Sequence, residues 1–169
     1  AASRTSGHSS GKGSLSLEDI GGTSPAHQAA ADLVADLRSW QGGELAWNQM
    51  SRSLLIHGQP GSGKTVLARA IAASAWVPLI QGSFGDWQAR GHLGDMLAAM
   101  LACFQDAKSR KPCVLFIDEI DSSGCRADTG DRNQAYRQQV INEFLRQIDL
   151  LHREEGILLI GATTENPSF

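Results

Sequence analysis

The chain has 169 residues and a formal net charge of −3. That is long enough for one domain with a buried core, and it lacks the basic excess of a nucleic-acid-binding surface. No apolar run approaches a membrane span and no charged-then-apolar leader opens the sequence, so a soluble, cytoplasmic protein is expected.

Residues 1–16, rich in Ser and Gly with His8 among them, have nothing to bury and are expected to form a disordered tail or linker. The ordered part, 17–169, opens with Leu17-Glu18-Asp19-Ile20-Gly21-Gly22. Ser24-Pro25 supplies a helix cap and a first-turn proline, and Leu33, Leu37 and Trp40 recur at helical spacing. A helix is therefore predicted from Pro25 to Trp40, stopping at Gly42-Gly43. A weak signal over Leu45–Met50 suggests a short helix. Ser53–His57 reads as the first buried strand, and a helix follows to about Ala75. Val77-Pro78-Leu79-Ile80 reads as a second strand, placed at an edge or a strand start by its proline. Gln81–Gly91 reads as a loop and Leu93–Lys108 as an amphipathic helix. Cys113–Ile117 is apolar throughout, as a buried parallel strand must be. Asp121–Asn133 reads as a polar loop. Val140, Phe144, Leu145, Ile148 and Leu151 mark one helix face, Ile157–Gly161 a fourth strand, and Ala162–Phe169 a departing loop. Alternating strands and helices predict a doubly wound α/β layer structure.

Between the first strand and its helix lies Gly58-Gln59-Pro60-Gly61-Ser62-Gly63-Lys64-Thr65, a G-x-x-x-x-G-K-[ST] pattern in the strand–loop–helix context that gives it meaning. A polyphosphate needs converging donors, which backbone N–H groups at a helix N-terminus supply. Glycines at 58, 61 and 63 let the loop wrap closely. Lys64 is suited to the β/γ-phosphates and the Thr65 hydroxyl to Mg²⁺, with Gly58, Pro60, Gly61, Ser62, Gly63 and Val66 completing the nucleotide contacts.

The third strand ends in Asp118-Glu119, at the sheet end where α/β folds bind ligands. Asp118 is assigned to Mg²⁺ and Glu119 to orienting the attacking water. The polar end of the fourth strand, Ala162-Thr163-Thr164-Glu165-Asn166, either reaches the γ-phosphate or caps a turn before Pro167. Three cysteines, Cys103, Cys113 and Cys125, are an odd number without C-x-x-C spacing. They read as reduced thiols, two of them filling the core.

Taken together, Asp19-Ile20-Gly21-Gly22, the phosphate loop, Phe116-Ile117-Asp118-Glu119-Ile120-Asp121 and Gly161-Ala162-Thr163-Thr164 resemble the ATPase core of the AAA+ superfamily, over residues 17–169. Within it the chain is most similar to FtsH-like ATPases, the motor part of ATP-dependent zinc proteases. Trp87–Asp95 and Asp118–Gly124 fit that resemblance. It implies a P-loop NTPase three-layer sandwich with strand order 5-1-4-3-2, ATP and Mg²⁺ as ligands, and a hexameric ring that remodels polypeptides. It also implies Ile20 and Gly21 at the adenine, Thr164 or Asn166 as the phosphate sensor, and Trp87 near the loop that grips a translocating chain. Arg126, Arg132 and Arg137 would lie toward a neighbouring subunit. The superfamily's fifth strand, helical lid and arginine finger have no counterpart in these residues, so ATP binding is expected to survive better than turnover. His152-Arg153-Glu154-Glu155 has the wrong order for the protease zinc motif H-E-x-x-H. The Gly161–Pro167 run also resembles clamp-loader-related replication and repair ATPases, against which the acidic balance argues. A non-catalytic, nucleotide-gated scaffold is the third reading.

Overall fold

The apolar run Cys113–Ile117 becomes the strand buried on both faces. The structure, a computed structural model, describes residues 15–123 and 131–165. Strand β3 (Cys113–Asp118) lies between β2 (Leu79–Ser83) and β4 (Ile157–Thr163), and β4 pairs in turn with β1 (Ser53–His57). All pairings are parallel, in the order β1-β4-β3-β2. This is the expected order across the four described strands. The registers His57 with Thr163, Ile117 with Gly161 and Ser83 with Asp118 bring the C-terminal ends of the strands to one edge of the sheet.

Helices α1 (Leu17–Ile20), α2 (Pro25–Gln41) and α3 (Lys64–Ser74) cover one face, packing on Ile56, Val114, Phe116, Leu158 and Ile160. Helices α4 (Phe84–Gln88), α5 (Leu93–Ser109) and α6 (Asp131–Leu151) cover the other, on Ile80, Leu115, Ile117 and Ile157. Successive strand residues point to opposite faces, so β3 and β4 feed both cores. On the second face Phe84 meets Trp87 and Phe144 edge-to-face, with centroids 5.1 and 4.9 Å apart, an arrangement aromatic quadrupoles favour.

Local chemistry sets the helix starts. Ser24 Oγ accepts from His27 N at 3.2 Å with Pro25 in the first turn, and Gly42 closes α2. The weak signal after it is a 3-10 turn, Trp47–Gln49.

Several expectations need correcting. The second strand starts two residues later than predicted and runs to Ser83. Pro78 stays outside it, its carbonyl accepting from Val114 N at 3.0 Å, and β2 is indeed an edge strand. Gln81–Gly91 is not a loop: Ser83 caps α4, which buries Phe84 and Trp87. Trp87 is only 5% exposed, packed from α4 against Phe84 and over Gly82 rather than offered to a translocating chain. Asp121–Ser123 belong to a 3-10 turn from Ile120, and α6 already begins at Asp131. Leu145 is exposed, off the apolar face assigned to it. Strand β4 continues through Thr163. Trp76, just past α3, is 85% exposed and has φ +58.

Residues 1–14, Cys125, Arg126 and Asn166–Phe169 lie outside the described residues, and so does the Arg132 side chain. No helix among the described residues is long and apolar enough to cross a membrane.

Candidate functional site

The loop between β1 and α3 takes its shape from its glycines. Gly61 (φ +80) and Gly63 (φ +88) occupy left-handed backbone, where a side chain would be strained. At Gly58 an added Cβ would lie 2.7 Å from Ser62 Oγ, so a side chain there would displace the Ser62 hydroxyl. Gly63 is also the N-cap of α3, and no side chain caps that helix. The leading amides Lys64, Thr65 and Val66 have no intrahelical acceptor. Within the loop Ser62 N donates to Gln59 O at 3.1 Å, and the uncapped N-terminus that follows is a donor set suited to an anion. The Lys64 ammonium folds over the same loop, donating to the carbonyl oxygens of Gly58 and, at 3.2 Å, Gln59.

A cleft of about 350 Å³ adjoins this loop, with Ile20, Gly21, Gly58, Ser62, Gly63, Lys64 and Val66 on its walls. The structure thus brings the Ile20–Gly21 turn, some forty residues earlier in sequence, against the phosphate loop. Pro60, Gly61 and Thr65 are not among the cleft walls, whereas Ser24, Ala26, His27, His57 and Leu67 are. His27 escaped the sequence reading because nothing in α2's periodicity singles it out. Only the packing of α1 and α2 on α3 brings it here.

Asp118 ends β3 and accepts from Glu119 N at 2.8 Å. Glu119 has φ +55 and turns its carboxylate toward the start of α4. There it accepts from Ser83 Oγ at 3.0 Å and from Gly85 N at 3.1 Å. Gly85 leaves room for this: a Cβ there would lie 2.1 Å from Glu119 Oε2. Neither partner was visible beforehand, because the stretch holding them read as loop.

Thr164 lies just past β4, held by Asp121. Partial burial pushes the Asp121 carboxyl up, but hydrogen bonds from the Thr164 hydroxyl, its own backbone, the Thr163 side chain and the Thr164 amide outweigh it. The net result lies below the usual carboxylate range. The loop's first residue is tied to the same strand end, Gly58 N donating to Thr163 O at 3.1 Å.

Among the described residues no three His, Cys, Asp or Glu side chains cluster as a metal site. A cation at Thr65 and Asp118 would therefore complete its shell with phosphate oxygens and water, as Mg²⁺ commonly does. Burial raises the thiols of Cys103 and Cys113 to about 11, which leaves them inert at neutral pH.

Comparison with known proteins agrees with this geometry. A sequence model of the ATPase family associated with various cellular activities (AAA) matches residues 54–169. The chain is 34% identical over 149 residues to the ATP-dependent zinc metalloprotease YME1L of Drosophila melanogaster, covering 88% of this chain and 20% of that protein. It is 32% identical over 154 residues to the ATP-dependent zinc metalloprotease FtsH 1 of Symbiobacterium thermophilum, covering 90% and 26%. The chain thus spans about a fifth to a quarter of these relatives' length. The crystal structure of the FIGL-1 AAA domain in complex with ADP superposes with a TM-score of 0.72 at 25% identity, over 89% of this chain and 49% of that one. A parallel sheet wound in the order β1-β4-β3-β2, a glycine loop heading an uncapped helix, and matches over most of its length make the chain a member of the AAA ATPase family.

Proposed function

We propose that the chain binds Mg²⁺–ATP at the Gly58–Thr65 loop and, in its assembled state, hydrolyses it. The observation that carries this is the open N-terminus of α3 behind left-handed glycines, set in a cleft with Ile20 and Gly21. The chemistry assigned to each residue follows from its type. Backbone amides of Gly61, Gly63, Lys64, Thr65 and Val66 hold phosphate oxygens, joined by Ser62 N once it leaves Gln59 O, and Lys64 leaves the loop carbonyls to pair with the β/γ-phosphates. The backbone of Ile20 and Gly21 faces the base. Thr65 and Asp118 hold Mg²⁺, which when bound neutralises developing phosphate charge. Glu119 orients the attacking water, for which its carboxylate must swing away from Ser83 and Gly85. The relatives' names, ATP-dependent metalloproteases, support ATP as the nucleotide and a polypeptide as what the parent acts on; the assembly proposed with them is a hexameric ring. Free thiols at the half-buried Cys103 and the buried Cys113 suit a reducing compartment such as the cytoplasm.

The test is a pair of substitutions. Lys64→Ala should lose ATP binding by about a hundredfold, the scale of a charge-assisted phosphate contact. Glu119→Gln should keep affinity within about threefold while turnover falls at least a hundredfold, the range for a lost acid–base contribution. Because an arginine finger contributes about 10³–10⁵ in rate, turnover should be followed with protein in excess over ATP. A nucleotide-gated scaffold is the second reading, favoured by the Glu119 contacts with Ser83 and Gly85. Equal turnover in wild type and Glu119→Gln would select it.

A further inference from the structure

The turn after the acidic pair and the end of β4 are joined by one side chain. Asp121 accepts from Thr164 Oγ1 through Oδ2 at 2.6 Å and from Thr164 N through Oδ1 at 3.3 Å. Each carboxylate oxygen thus accepts from Thr164, 43 positions away. Asp121 sits in the 3-10 turn Ile120–Ser123, which is closed onto the acidic pair by Ser122 N donating to Glu119 O at 3.0 Å. The turn is also held from α4, where Gln88 Nε2 donates to Ser122 O at 2.9 Å. On the far side of the clasp, Thr163 O accepts from Gly58 N, the first residue of the phosphate loop. A short hydrogen-bonded path therefore runs from Gly58 through Thr163, Thr164 and Asp121 to Glu119.

The chemistry of the hydroxyl decides what Thr164 can do. A threonine hydroxyl has one proton, and here it is committed to Asp121 at 2.6 Å. The lone pairs that remain cannot bind a phosphate oxygen, which is itself only an acceptor. In this geometry Thr164 is not a phosphate contact.

We propose that Asp121 is a positioning residue for hydrolysis: its two-point clasp on Thr164 fixes the Glu119 turn relative to the phosphate loop, and Thr164 serves the clasp rather than the γ-phosphate. This rests on the ATPase reading above. A clasp of this kind leaves nucleotide affinity alone and acts on the chemical step, since a misplacement of about 1 Å at a reacting group costs on the order of a hundredfold in rate.

The experiment compares the 169-residue chain with Asp121→Asn, Thr164→Val, Thr164→Ser and the Asp121→Asn/Thr164→Val double variant. Three quantities are measured: affinity for a fluorescent ATP analogue, single-turnover hydrolysis, and amide hydrogen exchange. Asp121→Asn and Thr164→Val should each slow hydrolysis by about tenfold or more with affinity within about threefold. Thr164→Ser, which keeps the donor, should retain the wild-type rate, and the double variant should be no slower than the slower single one. Exchange should quicken at Glu119, Ser122 and Gly58 in the two impaired variants. A tenfold loss of affinity in Thr164→Val with exchange unchanged would restore Thr164 as a phosphate contact and overturn the clasp. So would wild-type rates in both single variants. Should the wild-type chain bind no ATP, the ATPase reading fails on its own, and the exchange data still decide whether Asp121 holds the turn.

Discussion

Glu119 stands in left-handed backbone at φ +55, a conformation that costs a non-glycine residue about 1–2 kcal/mol. The hydrogen bond its backbone N–H donates to Asp118 Oδ1, 2.8 Å long, offsets part of that. The carboxylate is held by one hydroxyl and one amide, both at the exposed start of α4. If turnover requires it to leave them, removing the hydroxyl should help. Ser83→Ala is expected to raise single-turnover hydrolysis by up to about tenfold, one charged hydrogen bond's worth, with ATP affinity unchanged. Asp121 adds a pH signature. Its carboxyl is lowered in the folded chain, so the clasp contributes fully above the ordinary carboxylate range and is lost as pH falls below about 4. In acid titrations of unfolding, the stability gap between wild type and Asp121→Asn should be constant at neutral pH and shrink below that point.

Elements whose residues repeat a period were readable from sequence, and elements set by contacts were not. Ser24-Pro25 and the Leu33, Leu37, Trp40 spacing marked α2, and the unbroken apolar run marked β3, because burial dictated those residue types. The phosphate loop was legible because its glycines meet a backbone requirement. The second half of strand β2 and helix α4 were missed for a physical reason. Gly82 offers no side-chain signal, and it is glycine because Trp87 packs directly over it. A Cβ at 82 would lie 2.5 Å from Trp87 Cζ2 and 3.0 Å from Cys103 Sγ. Gly82→Ala should therefore overpack this face and destabilise by about 1–3 kcal/mol in urea unfolding. Unchanged stability would mean that Trp87 has room to move. The same contact explains the correction at Trp87, whose aromatic character serves the core. The Asp121–Thr164 and Glu119–Ser83 pairs were illegible because only the sheet order brings them together.

At the scale of the molecule, the two edges of the sheet differ. Strand β2 is flanked by α4 and α5, whereas β1 exposes Leu55 by 53%. Beside it an apolar groove of about 150 Å³ is lined by Leu54, Leu55, Ile120, Phe144, Ile148 and Leu159. An exposed hydrophobic edge strand is a template for pairing with another chain. The 169-residue chain should therefore associate with rising concentration in light scattering, and Leu55→Lys should suppress this without changing nucleotide affinity. Monodisperse monomer at high concentration in the wild type would show that the edge is protected.

Trp76 gives the molecule an optical property of its own. Of four tryptophans, Trp47 and Trp87 are buried and Trp40 is half-buried, whereas Trp76 stands 85% in solvent. Native emission is thus a sum of a water-like component from one indole and a blue-shifted component from the others. Iodide, which collides only with surface chromophores, should quench the first and leave the second as a clean optical report on the two faces of the sheet.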